Sequence, residues 1–219
     1  TDGAAATSYN FASGLVRLSG ANTYTGGTTV NSGVSVIFEN ASAVPATGLI
    51  SALPDGYVGL GDGNLSAATF ISRLNAATFS GTVGFDNDEV FTGDIDLTAF
   101  SYSDVLIGTR TRATLTGAIT PPAAAFDYKF GGSGWIFLND GVGANALTGS
   151  RGLAVLPPGS SFSPPMMLVL GRTAANTYSG GTTLEPGAGL VFDTPGSLSA
   201  NTTVNLDGAT YAGFTDTSG

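Results

Sequence analysis

The side chains of this chain that could do chemistry are mostly carboxylates. The sequence contains no His and no Cys, which excludes Ser-His or Cys-His nucleophilic catalysis and the usual zinc sites. The densest group of acids contains four aspartates, Asp86, Asp88, Asp94 and Asp96, with Glu89 among them. Alternate residues of a strand share a face, so Asp86 with Asp88, or Asp94 with Asp96, could converge on one cation such as Ca²⁺.

Two other interpretations of these four acids remain open. Such carboxylate pairs could act as the acid and base of a glycosidase on a β-helical fold. They could also face solvent, where charge discourages edge-to-edge aggregation of an extended sheet. The sequence favours the solvated role, so we predict no catalytic residue, no cofactor and no metal site, with calcium kept as the alternative. The Gly- and Asp-rich segment 59–64 poses the same choice between a turn and a calcium loop.

The composition favours an all-β chain with many turns. Gly accounts for 33 of the 219 residues, 11 % of the residues are charged, and 42 % are hydrophobic. The net charge is −9 and Lys129 is the only lysine, which argues against nucleic acid or an anionic membrane as a partner. No run of about 18 apolar residues occurs, so we expect no membrane insertion. The chain starts at Thr1 without Met or a signal peptide, and we expect it to be a piece of a longer protein.

A short motif that occurs twice organises the rest of the chain. Both copies read Asn-Thr-Tyr, then Thr or Ser, then Gly-Gly-Thr-Thr, and an apolar run ending in an aromatic residue and an acid follows each. The matching residues are Asn22, Tyr24, Gly26 and Gly27 in the first copy and Asn176, Tyr178, Gly180 and Gly181 in the second. Tyr57 and Tyr211 are separated by the same number of residues as the two copies. We therefore predict motif copies at 18–41 and 170–195 in one continuous domain, 1–219, with an internal unit of about 154 residues.

The motif predicts one coil of a β-solenoid. The Gly-Gly pair can take positive φ and turn the chain tightly, the Thr-Thr segment favours a strand, and a further Gly ends that strand. The two Tyr are expected to pack at coil corners, with stacking on carbohydrate as the alternative. Segment 66–75 predicts a short lateral helix capped by Ser66. At roughly 20–25 residues per coil the chain would make about ten coils, and both ends would present unpaired strand edges.

The motif resembles the autotransporter-associated β-strand repeat of bacterial surface proteins. That resemblance implies a right-handed parallel β-helix of the passenger type and an extracellular or cell-surface location. It also implies a non-enzymatic structural segment whose partners are neighbouring repeats or copies of itself, and open ends would allow head-to-tail assembly into a fibre. The alternative is an adhesin that binds extracellular glycan or a host surface along one solenoid face. A third interpretation, a polysaccharide lyase or hydrolase on the same fold, needs a cleft with two or more acids beside an Arg.

Overall fold

The chain folds as an all-β parallel solenoid with almost no helix. The computed structural model describes residues 8–139, 147–157, 166–171, 175–193, 197–200, 202–208 and 211–214. Helical structure in these residues is limited to one short helix, α1 (Ala67–Ile71), and one 3₁₀ turn (Ala41–Ala43). No helix in the described ranges has the length and apolar character that crossing a membrane requires.

Twenty short strands make up the coils in the described residues. In chain order they are β1 (Tyr9–Phe11), β2 (Leu15–Leu18), β3 (Thr28–Val30), β4 (Ser35–Phe38), β5 (Ile50–Ala52), β6 (Tyr57–Leu60), β7 (Thr82–Phe85), β8 (Glu89–Phe91), β9 (Ile95–Asp96), β10 (Leu106–Thr109), β11 (Arg112–Leu115), β12 (Ile119–Thr120), β13 (Asp127–Gly132), β14 (Trp135–Asn139), β15 (Gly152–Leu156), β16 (Met166–Gly171), β17 (Thr182–Leu184), β18 (Ala188–Phe192), β19 (Val204–Leu206) and β20 (Tyr211–Phe214).

These strands form parallel ladders that run along the solenoid. Sheet I contains β1, β3 and β5, and sheet II is a ladder of nine strands in the order β2, β4, β6, β7, β10, β13, β15, β17 and β19. Sheet III contains six strands, β8, β11, β14, β16, β18 and β20, and sheet IV pairs β9 with β12. Every ladder is parallel, as a coil that returns to the same face requires.

The solenoid makes about eight turns rather than the ten that we predicted. Along one row of sheet II, eight pairing steps lead from Val16 to Leu206. The shortest step leads from Val16 to Val36 and the longest from Val155 to Leu184. Because the later coils are longer than the first one, fewer coils fit into the chain than the ten that we predicted. Eight steps of about 4.8 Å give a described rod about 38 Å long.

The core lies inside the coils and is built from the inward-facing side chains, which alternate with outward-facing ones along each strand. In sheet II, Val36 pairs with Val58 and then Val83, and all three side chains are fully buried. Phe70 of α1 contacts the rings of Phe38 and Phe85 at centroid distances of 6.5 and 6.2 Å. Each such buried side chain contributes roughly 1.5–3 kcal/mol. A slip by one residue would turn every inward side chain outward, which fixes the register.

The predicted lateral helix is present but shorter than the predicted segment 66–75. Ser66 is its N-cap, and its hydroxyl oxygen accepts a hydrogen bond from the Thr69 amide at 3.2 Å. Phe70 and Ile71 are buried against the solenoid. The helix ends at Ile71 because the chain soon re-enters the ladder, where Leu74 forms a parallel bridge to Ile50 of sheet I.

The two motif copies lie on different faces of the solenoid. In the first copy β3 belongs to sheet I and β4 to sheet II, whereas in the second β17 belongs to sheet II and β18 to sheet III. The pairing register is nevertheless the same, since Ser35 pairs with Tyr57 and, one unit later, Gly189 pairs with Tyr211. From the first motif copy to the second, the chain therefore moves six coils along the solenoid and one face around it.

Candidate functional site

The asparagine of each motif copy joins neighbouring coils through its side chain. Asn22 Nδ2 donates to the carbonyl oxygen of Ala43 in the following coil at 2.5 Å. Asn176 Nδ2 donates in the same way to the carbonyl of Ser197, and its Oδ1 accepts from the Leu147 amide of the preceding coil at 2.8 Å. Asn176 is buried. Its amide thus bridges three successive coils by satisfying backbone groups that the sheets do not pair.

The tyrosine of each copy is buried and bonded to the first threonine of the following strand. The Tyr24 hydroxyl lies 2.6 Å from Thr28 Oγ1, and the Tyr178 hydroxyl lies 2.8 Å from Thr182 Oγ1. Burial raises the pKa of both phenols, and the threonine hydrogen bonds act in the opposite direction. Because both rings are covered, neither Tyr24 nor Tyr178 offers a face to a carbohydrate.

None of the four motif glycines has the positive φ that we predicted, and close packing requires a glycine at Gly180. The left-handed glycines lie further on, at Gly33 (φ 72°) and Gly187 (φ 86°), just after β3 and β17. At Gly180 a Cβ atom would lie 2.4 Å from the Gly152 amide nitrogen of the coil below. The carbonyl oxygen of Gly26 similarly lies 2.0 Å from where a Cβ would stand on Gly48, so the backbones of adjacent coils touch at this corner.

The structure separates the first pair of predicted calcium ligands, Asp86 and Asp88. Asp86 follows β7 and is completely buried, whereas the Asp88 side chain is 68 % exposed and forms an ion pair with Arg112 Nε at 3.2 Å. Asn87 and Asp88 have φ angles of 65° and 59°, which places a tight turn between β7 and β8. This turn interrupts the strand alternation on which the shared face of the two acids depended.

The second pair, Asp94 and Asp96, flanks Ile95 on the exposed side of β9. Asp94 Oδ1 accepts from the Ala118 amide of the next coil at 2.8 Å. Asp96 Oδ1 accepts from the amide and hydroxyl of Thr98 at 2.9 and 2.7 Å, and these bonds lower the pKa of Asp96. Within the described ranges no group of three or more acidic side chains is placed to hold a metal ion.

The segment 59–64 forms a strand end and a turn fastened to the coil below. Asp62 Oδ2 accepts from the Ala41 amide at 2.7 Å, and Asp62 Oδ1 accepts from the Asn64 amide at 2.9 Å. These backbone hydrogen bonds lower the pKa of Asp62. The carboxylate therefore serves as an acceptor for peptide groups of two coils.

A buried polar network on the outer face of sheet II was not predicted from the sequence. The Tyr57 hydroxyl donates to Asp86 Oδ2 at 2.8 Å, and the Arg110 amide donates to Asp86 Oδ1 at 2.7 Å. Arg110 Nη1 reaches Ser35 Oγ at 2.9 Å. The residues come from four successive coils. Burial raises the pKa of Asp86, against the hydrogen bonds that it accepts, and burial together with the Asp86 carboxylate raises the pKa of Tyr57 well above its usual value.

A row of glycines leaves room for this network. Gly59, Gly84 and Gly108 occupy one ladder row of sheet II, and a Cβ at Gly84 would stand 2.1 Å from Tyr57 Cζ. The Tyr57 ring therefore lies over the glycine row, and Asp86 is covered as a result. The sequence signal was a Gly at the outward position of successive strands, which indicates that a large side chain crosses there.

The side chains described above hold neighbouring coils together, and the buried polar groups among them are enclosed by other residues. Asp86 and Arg110 bring an acid and a guanidinium together, but the carboxylate is completely buried beneath Tyr57. The repeated Asn and Tyr bonds and the continuous ladders define the molecule as a repeat protein of the parallel β-solenoid class.

Within that class, the family model of the passenger-associated-transport-repeat matches the chain twice, at residues 13–34 and 167–188. The matched segments are separated by the same offset as the motif copies, and each contains a strand, the Asn and Tyr of the motif, and the next strand. Together they cover about a fifth of the chain. The repeat and the solenoid are consistent with an autotransporter passenger repeat protein and confirm the resemblance. This repeat family implies a secreted or cell-surface location. Neither the curated proteins nor the solved structures gave a match.

Proposed function

We propose that this chain is a non-enzymatic structural segment of a bacterial extracellular or cell-surface protein, which extends by stacking coils and joins further coils end to end. A passenger-type solenoid is typically non-catalytic. The acid closest to an enzyme-like setting, Asp86, is enclosed by Tyr57 and Arg110 and is out of reach of a substrate. The side-chain hydrogen bonds of the motif asparagines join neighbouring coils, which supports a role in extension.

The observation that carries the proposal is a difference between equivalent residues of the two units. Ala52, Tyr57 and Leu60 are 0 %, 6 % and 0 % exposed, because the next coil covers them. Their counterparts one unit later, Leu206, Tyr211 and Phe214, are 55 %, 55 % and 72 % exposed. The same strand pair receives a coil in the first unit, and its second copy presents an equivalent apolar surface on which a further coil, of this chain or of another copy, can stack.

The first coil offers a matching strand pair. β1 and β2 are short strands separated by a short segment, 12–14, and β19 and β20 are likewise separated by a short segment, 207–210. A second copy could therefore add β1 to β19 and β2 to β20 in continued parallel ladders. Open strand edges favour such pairing, and a head-to-tail contact of this type does not close and builds a fibre.

Electron microscopy and sedimentation velocity of the purified chain over a range of concentrations test this proposal. We expect rods or filaments whose axial repeat is one chain, and Phe214→Asp should abolish them because it places a charge in the joint. Phe126→Asp is the matched control, since Phe126 is 85 % exposed on the side of the solenoid. A strictly monomeric particle at high concentration, with both end coils covered, would overturn the proposal.

The second candidate is an adhesin that holds glycan along one face. The observation that favours it is the exposure of Trp135 on sheet III, where the residue is 43 % exposed.

A further inference from the structure

The outer face of sheet III carries a small group of side chains that we call the Trp135 platform, namely Asp88, Arg112, Trp135 and Phe137. Trp135 pairs with Arg112 in the ladder, and the Asp88 amide donates to the Arg112 carbonyl at 2.9 Å. Asp88, Arg112 and Trp135 therefore follow one another along a row that crosses three successive coils. Phe137 lies on the same strand as Trp135, two residues further on.

The rings and the ion pair of the platform hold one another in place. The rings of Trp135 and Phe137 are nearly parallel, with an interplanar angle of 18° and centroids 6.1 Å apart. The Arg112 guanidinium lies 4.5 Å from the Phe137 centroid and 3.2 Å from Asp88 Oδ1. Ordering before a ligand arrives reduces the entropy lost on binding.

The platform remains open to solvent despite these contacts. Trp135 is 43 % exposed, and the side chains of Arg112 and Asp88 are 54 % and 68 % exposed. An exposed indole presents an apolar face, while a guanidinium and a carboxylate beside it supply fixed donors and acceptors. This is the combination that a sugar ring requires, because its C–H groups form an apolar face and its hydroxyl groups surround the edge.

Charge and dimensions select the kind of glycan. Arg112 is already paired with Asp88, Glu89 lies beside them, and the chain has a net charge of −9. These charges disfavour an anionic polysaccharide. Successive residues of the row are about 4.8 Å apart, a step comparable to one sugar of an extended chain. A protein partner would need a much larger apolar area than Trp135 and the neighbouring exposed Val90 provide.

We propose that Asp88, Arg112 and Trp135 bind an uncharged, extended glycan that runs along the solenoid axis on the outer face of sheet III. The indole stacks on a sugar ring, and the ion pair bonds to the hydroxyl groups of a neighbouring sugar. The site does not depend on end-to-end assembly, since it lies on the side of the rod and all of its residues belong to β8, β11 and β14 or the turn before β8.

Trp135 is the only tryptophan of the chain, so its fluorescence reports on this site alone. The intact chain should be titrated with cellohexaose, laminarihexaose and chitohexaose, and with a galacturonic acid hexamer as the charged comparison. We expect a saturable change in tryptophan emission with at least one uncharged oligosaccharide and none with the galacturonate. No saturable change with any uncharged probe, or tighter binding of the charged one, would overturn the proposal.

Variants separate the platform from the rest of the surface. By calorimetry, Trp135→Ala and Arg112→Gln should each weaken binding about tenfold or more, whereas Phe126→Ala, at an exposed ring elsewhere, should leave it unchanged. Circular dichroism checks that each variant is folded. Binding that survives both platform substitutions refutes the site. A tryptophan emission that changes with protein concentration in the absence of sugar, and not with sugar, would assign the surface to a second copy instead.

Discussion

The substitution Gly84→Ala tests whether the glycine row of sheet II exists to accommodate Tyr57. A Cβ at position 84 would stand 2.1 Å from Tyr57 Cζ and 2.2 Å from its hydroxyl oxygen. The methyl group and the ring cannot share that space, and the ring cannot simply swing aside, because Tyr57 is only 6 % exposed and donates to Asp86. We therefore expect the ring to be displaced and its hydrogen bond to be broken.

Two costs add up in this variant. Overpacking a tight site costs about 1–3 kcal/mol, and leaving the buried Asp86 carboxylate without its tyrosine donor costs about 1–3 kcal/mol. The free energy of unfolding should thus fall by about 2–6 kcal/mol. Gly20→Ala is the matched control, since nothing lies within 4 Å of a Cβ at Gly20, and its effect should remain within about 0.5 kcal/mol.

A double-mutant cycle with Tyr57→Ala isolates the clash. Equilibrium urea unfolding of the four proteins, followed by circular dichroism, gives the coupling between the two positions. Once the ring is removed the methyl group has room, so Gly84→Ala should cost little in the Tyr57→Ala background. The coupling energy should therefore be close to the full wild-type cost of Gly84→Ala, about 2–6 kcal/mol. Additive effects of the two substitutions would refute the reasoning, because they would show that the ring does not occupy the space above Gly84.

Three further substitutions test other features of the solenoid. Burial raises the pKa of Asp86, so the folded state binds this proton more tightly than the unfolded chain does. The free energy of unfolding of the wild type should therefore rise as the pH falls through the raised pKa. Asp86→Asn should show a smaller rise when urea unfolding is measured between about pH 7 and pH 4. Asn176→Ala should cost about 2–4 kcal/mol, because two buried backbone groups lose their partner, and Asn22→Ala, at a less buried site, should cost less in the same assay. Ser66→Ala removes the N-cap of α1 and should cost about 1 kcal/mol, seen as faster amide exchange in that helix; unchanged exchange would contradict the capping role.

Features that depend on local chemistry were predictable from the sequence. The helix at 66–75 follows from a Ser at the N-cap and apolar residues at helical spacing, and both operate within one turn. The solenoid follows from a motif that repeats with its glycines and aromatic residue in place. The early end of α1 was not predictable in this way, because it depends on the pairing of Leu74 with Ile50 in another coil.

Features that depend on which side chain covers which were not predictable. Alternation places Asp86 on the outer face of sheet II, and an outer acid is ordinarily solvated, but Tyr57 from the preceding coil lies across it. The pairing of Asp86 with Asp88 failed because Asn87 and Asp88 take left-handed φ angles, and a two-residue period does not survive such a turn. The number of coils was not predictable either, because it depends on the lengths of the corners between strands. These lengths vary, and the sequence pattern does not specify them.

The placement of the two motif copies leads to a prediction about the proposed fibre. If β1 of one chain adds to β19 of another and β2 adds to β20, sheet I of the second chain continues sheet II of the first, and its sheet II continues sheet III. The same one-face advance separates the two motif copies within the chain, where β3 lies in sheet I and β17 in sheet II. Neighbouring chains should therefore be related by a rotation that carries sheet I onto sheet II, together with a translation along the axis. Helical reconstruction of filaments would measure this rotation directly. Neighbouring chains related by translation alone, with sheet I continuing sheet I, would show that the end coils meet in another way. The contact between chains would then not follow from the correspondence of β19 and β20 to β5 and β6 of the first unit.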